Sequence, residues 1–258
     1  MTRPDWLIVG SDARFSKAAE HLRKKGFIVL HDARDRWDSK TDALLLEEKP
    51  VRVVLPIHPP EGTPAPGVLN QAERLFAGRL DAAWEKAAET AEKLPRLYLQ
   101  EERFIWENAS LTAEGFLAMF YESGGGPVAG SQWVVAGYGR VGKTTARLMR
   151  AMGAEVSVLA RSPSQTAEAL TEGFGTLDFD GAGMPENSWN LVNTIPAQWL
   201  DPDGPFDPAG IYDLASAPGC LKPGAVHEYY RLLPALPGRL FPDEAARVLS
   251  EALCRMDS

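Results

Sequence analysis

The densest chemistry in this 258-residue chain lies in Gly137-Tyr138-Gly139-Arg140-Val141-Gly142. This stretch follows the apolar run Trp133-Val134-Val135-Ala136 and precedes a helical pattern over 143–152 closed by Gly153. In GxGxxG spacing the first glycine permits a tight turn and the second lets backbone approach a pyrophosphate. The third lets helix and strand pack closely. N–H groups at the helix start then bind the anion, helped by the helix dipole. All six residues of the turn are therefore candidate contacts to a dinucleotide. The next apolar run, Val156-Ser157-Val158-Leu159, ends in Ala160-Arg161-Ser162. An acid at that place would bond the ribose 2′-hydroxyl of NAD. Arg161 and Ser162 offer instead a cation and a hydroxyl suited to a 2′-phosphate, so NADP is favoured, with NAD as the alternative.

Ligands of open α/β sheets bind outside the carboxyl ends of strands. Three segments with unusual composition fall at such ends. Asn193-Thr194-Ile195-Pro196 follows Leu191-Val192, where a nicotinamide ring would lie. Asp213-Leu214-Ala215-Ser216 runs into Pro218-Gly219, and Leu236-Pro237-Gly238 follows the run over 229–232. Asn193, Thr194, Ile195, Pro196, Asp213, Ala215 and Ser216 are read as cofactor contacts.

The elements that must hold these residues alternate in type. Short apolar runs at 6–9, 27–30, 51–55, 75–77 and 96–99 interleave with helical patterns over 11–25 and 81–94. A helix over 110–121, with Ser110 as its N-cap, leads to Ser123-Gly124-Gly125-Gly126-Pro127, and a second series of strands and helices follows. Residues 176–190 and 196–210 leave little room for full helices, and an amphipathic helix over 242–256 closes the chain. The expectation is an α/β fold of two domains with parallel sheets, the second of Rossmann type. Its parts are an N-terminal domain over 1–107, a connecting helix and glycine hinge over 108–126, a nucleotide-binding domain over 127–240 and a C-terminal helix over 241–258.

Composition removes several classes. With 35 acidic against 27 basic side chains and a net charge of -8, the chain lacks the basic balance that nucleic acid requires. No apolar run is long enough to span a membrane, and the first residues reach charge too early for a signal peptide. Cys220 and Cys254 are too few for a disulfide framework or a zinc cluster, so no metal is expected and a cytoplasmic location fits. A homodimer is the assembly expected on frequency alone.

Taken in order, GSDAR at 10–14, VVLPIHP at 53–59, ENASLTAEG at 107–115, VVAGYGRVGKTTAR at 134–147, LARS at 159–162, NTIP at 193–196, DLASAPG at 213–219 and LPG at 236–238 resemble the dipicolinate synthase A-subunit family. The two-domain plan is more distantly similar to 2-hydroxyacid dehydrogenases and adenosylhomocysteine hydrolases. The family resemblance implies oxidation of a dihydrodipicolinate-level precursor to dipicolinate, with a nicotinamide acceptor, during sporulation in the mother cell. It also implies a partner, the flavoprotein-like B-subunit of dipicolinate synthase. This chain departs from the family pattern at Ser11 and at Cys220, which stand where glycines are usual. The alternatives are a 2-hydroxyacid-type dehydrogenase and a cofactor-binding regulatory subunit without catalysis of its own.

A dicarboxylate substrate that becomes aromatic needs cations or amides for its carboxylates and a base for one proton. Arg14, after the first strand, is the leading carboxylate binder, with Leu236, Pro237 and Gly238 beside the substrate. Asn108, Thr112 and Glu114 open the connecting helix and are candidate catalytic groups facing a cleft between domains. His58, after a strand end, is the candidate base. Cys220 has no histidine partner in view and reads as a small buried or loop cysteine.

Overall fold

The structure, a computed structural model, describes residues 2–258 and divides into two compact units. The first unit runs to Asn108 and regains the chain at Pro237–Ser258; the second is Ala109–Leu236. In chain order the first holds β1 (Trp6–Val9), α1 (Ala13–Lys24), β2 (Val29–Asp32), α2 (Ser39–Glu48), β3 (Arg52–Val54), β4 (Arg74–Ala77), α3 (Ala82–Thr90) and β5 (Arg96–Leu97). Helix α4 (Glu102–Glu122) carries the boundary between the units. The second unit holds β6 (Gln132–Ala136), α5 (Arg140–Ala151), β7 (Glu155–Leu159), α6 (Pro163–Thr171), β8 (Gly175–Leu177), β9 (Trp189–Asn193), β10 (Gly210–Asp213) and β11 (Tyr230–Leu232). Helix α7 (Leu236–Leu240) spans the second boundary, and α8 (Pro242–Asp257) belongs to the first unit.

Both sheets are parallel throughout. Such strands are covered on both faces and read as continuous apolar runs, which is why all four residues of β1 and the last four of β6 are buried. The first sheet has the order β2-β1-β3-β4-β5, so its strand order reverses between β1 and β3. The second has β11-β10-β9-β6-β7-β8 and reverses between β6 and β9, the doubly wound order of two mononucleotide-binding halves. Each reversal opens a crevice at the carboxyl ends of the strands, where a ligand can reach backbone groups.

Helix α1 is capped by Asp12, whose side chain accepts from the Arg14 N–H, and its Phe15, Ala18, Ala19 and Leu22 are buried. Ala245, Val248, Leu249, Ala252 and Leu253 of α8 pack toward that face, which explains why the chain returns to its first unit. The end of α8 is tied down electrostatically. Asp257 pairs with Arg52 (2.6 Å) and Arg74 (2.5 Å), and Arg96 donates to the Met256 carbonyl. These three arginines open β3, β4 and β5, so the amino edge of the sheet meets the negative end of the helix dipole. In the second unit, Phe116 and Phe120 of α4 stack edge-on against Trp133 and Tyr212 at 5.1–5.8 Å.

Several local expectations change. Ser110 is interior to α4 rather than its N-cap, because Phe104, Ala109, Ala113, Phe116 and Phe120 form one apolar stripe that starts the helix at Glu102. Residues 31–50 contain α2, capped by Asp38, which a polar sequence with only Thr41 and Leu45 buried had concealed. Leu236-Pro237-Gly238 is the start of α7 instead of a loop, with Ala235 at φ 55 making the break before it. No helix among the described residues is long and apolar enough to cross a membrane.

Candidate functional site

The glycine turn joins β6 to α5 at the reversal of the second sheet. A Cβ on Gly137 would stand 2.5 Å from Thr194 Oγ1, and one on Gly142 would overlap the Gly137 carbonyl oxygen. Gly139 differs: nothing lies within 4 Å of an added Cβ, so its face is open. Gly139 is also the N-cap of α5, makes no side-chain capping bond, and no acidic residue occupies the first turn. The turn is therefore tight where it must fold and bare where an anion must approach N–H groups. That is the cradle a pyrophosphate needs, and the residues fit the group.

A cavity of about 360 Å³ extends from this turn. Gly139, Arg161, Ser162, Gln165, Thr194 and Pro196 are among its walls. Arg161 is exposed at the end of β7, and Ser162 caps α6 with Pro163 in its first turn. A cation, a hydroxyl and the start of a helix thus converge on one side of the cavity. Arg140 and Val141 supply the first residues of α5. The Tyr138 ring faces inward, packed on Phe174 at 6.0 Å, so this residue meets the cavity through its backbone. Burial and the neighbouring Glu172 carboxylate push its hydroxyl up to about 12, which removes it as a proton carrier.

The loops after β9 and β10 are locked from beneath. Asn193 and Asp213 are both fully buried. Asn193 Nδ2 donates to Asp213 Oδ1 (2.8 Å) and to the Ile195 carbonyl (3.0 Å). Its Oδ1 accepts from the Ile195 N–H (3.1 Å) and from Trp199 Nε1 (3.0 Å). Asp213 also accepts from the N–H groups of Ala215 (3.0 Å) and Cys220 (2.5 Å) and from the Tyr230 hydroxyl (2.9 Å). With their hydrogen-bonding capacity used inside the protein, Asn193 and Asp213 shape the loops rather than touch a ligand, which corrects their reading as direct contacts. Thr194, Ile195 and Pro196 line the cavity. Ala215 is buried and Ser216 is exposed on the next loop. Burial, then Asp213, pushes the Cys220 thiol far up, so this cysteine is no nucleophile.

In the first unit, Arg14 stands at the reversal between β1 and β3. Its guanidinium is held by Asp12, with Nη2–Oδ2 at 2.7 Å and Nε–Oδ1 at 3.0 Å, and its side chain is 11% exposed. Burial alone would raise the Asp12 carboxyl, but the bonds from Arg14 outweigh it and hold the group below its ordinary value. A Cβ on Gly238 would lie 2.6 Å from Arg14 Nε, so this turn of α7 packs directly on the guanidinium. Arg14 and Gly238, which the sequence shows only as separate motifs, are thus one cluster. Tyr98 is buried beside them and donates to the Leu55 carbonyl (3.0 Å).

The other candidates do not all come together. Asn108 lines a cavity of about 720 Å³ in the first unit together with Arg79, Gln100 and Leu97. His58 is exposed on the loop after β3. Thr112, one turn after Asn108 on the same face of α4, is buried, whereas Glu114, about 200° further round, is exposed, so the helix gathers the first two and not the third. Sequence reasoning missed Asp12, Arg79, Trp199 and Tyr230. Only Asp12 carried a signal, as the cap of α1 beside Arg14.

A larger cleft, about 730 Å³, lies at the amino ends of β9, β10 and β11. Glu186, Asp207 and Glu228 line it, and residues 175–230 hold eight acidic side chains against the single Lys222. Its charge repels phosphates, and it sits at the wrong edge of the sheet for a nucleotide. The smaller cavity is the cofactor candidate.

Comparison with known proteins agrees with this geometry. The family model for the NAD binding domain of S-adenosyl-L-homocysteine hydrolase matches residues 125–187. The dipicolinate synthase A-subunit of Bacillus subtilis (strain 168) is 32% identical over 196 residues. The match covers 70% of this chain and 64% of that protein, just under two thirds of its length. Solved structures share the fold: the dipicolinate synthase A-subunit from Bacillus halodurans has a TM-score of 0.72 at 20% identity, covering 97% of this chain and 96% of that one. Its counterpart from Bacillus subtilis has a TM-score of 0.75 at 22% identity, covering 100% and 98%. The apo D-lactate dehydrogenase of Escherichia coli has a TM-score of 0.59 at 14% identity, covering 98% and 96%. Fold and turn together define a nucleotide-binding protein of Rossmann type, built from two parallel-sheet units. Within that class, the chain is similar in sequence to the dipicolinate synthase A-subunit over 70% of its own length.

Proposed function

We propose that the chain is an NADP-dependent oxidoreductase that oxidises a dihydrodipicolinate-level dicarboxylate to dipicolinate in the cytoplasm of a sporulating cell, together with a flavoprotein-like B-subunit. The observation that carries this reading is the bare, uncapped start of α5 at Gly139, with Arg161 and Ser162 at the end of the neighbouring strand. A dinucleotide's pyrophosphate has N–H donors there, and its 2′-phosphate has a cation. Homology to the dipicolinate synthase A-subunit supports the substrate and the partner.

When bound, the nicotinamide supplies acceptance of a hydride. The loss of a hydride and a proton makes the substrate ring aromatic, so the protein's task is chiefly to bind and orient. Arg14, fixed by Asp12, would take one carboxylate in a bidentate pair. Asn108 and Arg79 offer donors for the other. His58 is the group proposed to accept the proton, because its side chain is exposed at the carboxyl edge of the first sheet. Thr194, Ile195 and Pro196 would flank the nicotinamide end.

The test mixes purified chain, enzymatically generated dihydrodipicolinate and NADP, with and without the flavoprotein-like partner. Reduced cofactor from the chain alone supports catalysis here. Reaction only with the partner present assigns the chemistry to the complex. No reaction in either mixture refutes the proposed activity.

A further inference from the structure

We infer that Tyr230 and Trp199 are positioning residues for the nicotinamide side of the cofactor cavity, acting through the buried pair Asp213 and Asn193. This inference rests on the cofactor reading of that cavity and names what holds its shape. Strands β9, β10 and β11 are in register, with Asn193 opposite Asp213 and Asp213 opposite Leu232, so three strand ends finish at one level. Three loops leave from that level, and the two buried side chains join the loops after β9 and β10 to the start of β11.

The connection runs in one direction through space. The Tyr230 hydroxyl, from the start of β11, donates to Asp213 Oδ2. Asp213 Oδ1 accepts from Asn193 Nδ2. Asn193 then holds both the N–H and the carbonyl of Ile195, which fixes the chain on either side of Thr194 against Gly137. Trp199 Nε1 braces the same Asn193 oxygen from another side. Thr194 Oγ1 completes the link by donating to the Ala136 carbonyl at 2.9 Å.

Two features argue that position, more than cohesion, is what the network supplies. The Asp213 carboxylate is fully buried, and four of its bonds come from two backbone N–H groups, a carboxamide and a hydroxyl. A buried charge costs free energy that an apolar side chain of similar size would not, so four donors offset the burial without making it the more stabilising choice. What an apolar residue could not do is hold two loops and the start of β11 at set distances. The second feature is Gly219, at φ 88, whose added Cβ would overlap the Tyr230 hydroxyl oxygen and stand 3.0 Å from Asp213 Oδ2. The loop after β10 thus crosses the hydroxyl so closely that only glycine fits, and the spacing there is set to keep that bond.

The deciding experiment compares the full-length chain with Tyr230→Phe against two probes, NADPH and adenosine 2′,5′-bisphosphate. The first spans the cavity; the second fills only the adenosine end, beside Arg161. Tyr230→Phe keeps the ring and removes one bond to a charged acceptor. NADPH affinity should fall about five- to tenfold while adenosine 2′,5′-bisphosphate affinity stays within about twofold. Unchanged affinity for both probes, or a parallel loss of both, would overturn the inference. Should Tyr230→Phe fail to fold, Trp199→Phe decides by the same split, since it removes the other donor to Asn193. Failure of the unaltered chain to bind either probe would overturn the cofactor reading itself, an outcome separable from any effect of the variants.

Discussion

Gly139→Ala and Gly142→Ala should separate binding from folding in opposite directions. Gly139 has φ -84 and ψ -167, an extended conformation open to any residue, and its added methyl meets nothing within 4 Å. The fold should therefore change by no more than about 0.5 kcal/mol, with a small gain from a less flexible unfolded chain. Binding should collapse. Phosphate oxygens must come within about 2.9 Å of the N–H nitrogens at the start of α5, and the methyl would stand in that approach. Losing two charge-assisted hydrogen bonds at about 1.5–3 kcal/mol each amounts to about 3–6 kcal/mol, or roughly 10²–10⁴ in Kd. The methyl of Gly142→Ala would overlap the Gly137 carbonyl oxygen and stand 2.9 Å from its carbon, both backbone atoms. The gain of about 1 kcal/mol in helix propensity is outweighed by overpacking of about 3 kcal/mol or more. Thermal unfolding and a fluorescence titration with NADPH read the two quantities separately. A Gly139→Ala protein that binds NADPH within about threefold of the unaltered chain, or a Gly142→Ala protein that melts normally, would refute this account of the turn.

Further outcomes follow from other contacts. Arg161→Asp should weaken NADP about 10- to 100-fold and NAD far less, measured by parallel titrations; equal losses would remove Arg161 from the 2′-phosphate. Gly219→Ala, which combines positive φ with a methyl driven into the Tyr230 hydroxyl, should destabilise by about 3 kcal/mol or more and lower Tm. Arg255 grips Glu101 at 2.8 Å and holds its carboxyl below the ordinary 4.5. A depressed folded value means stability present above pH 4.5 and lost as pH falls through the lower value. Glu101→Gln should cost about 1 kcal/mol at neutral pH and flatten the acid limb of a Tm-against-pH profile. An unchanged acid limb would show that the pair does not contribute.

Much of the fold and of the cofactor turn was legible because local rules govern them. Buried parallel strands announce themselves as apolar runs, and the glycine spacing is dictated by backbone contacts within a few residues. Asp81, the first residue of the helical pattern over 81–94, caps α3 through the Trp84 N–H at 2.9 Å. What stayed hidden depends on long-range contact. Helix α2 has a mostly polar exterior, and α8 joins the first unit only because α1 offers it an apolar face. The roles of Asn193 and Asp213 illustrate the limit most sharply. Their types and places suggested ligand contacts, but a carboxamide and a carboxylate at adjacent strand ends satisfy each other first. Arg14 and Gly238 lie far apart in sequence, and nothing local says that one packs on the other.

The most direct test of the central claim is a crystal structure of the chain with NADP bound. The pyrophosphate should lie over Gly139 at the start of α5, the 2′-phosphate at Arg161 and Ser162, and the nicotinamide end beside Thr194, Ile195 and Pro196. Nucleotide density in the acidic cleft at the amino ends of β9 to β11, or at Gly10 to Arg14 of the first unit, would contradict the claim.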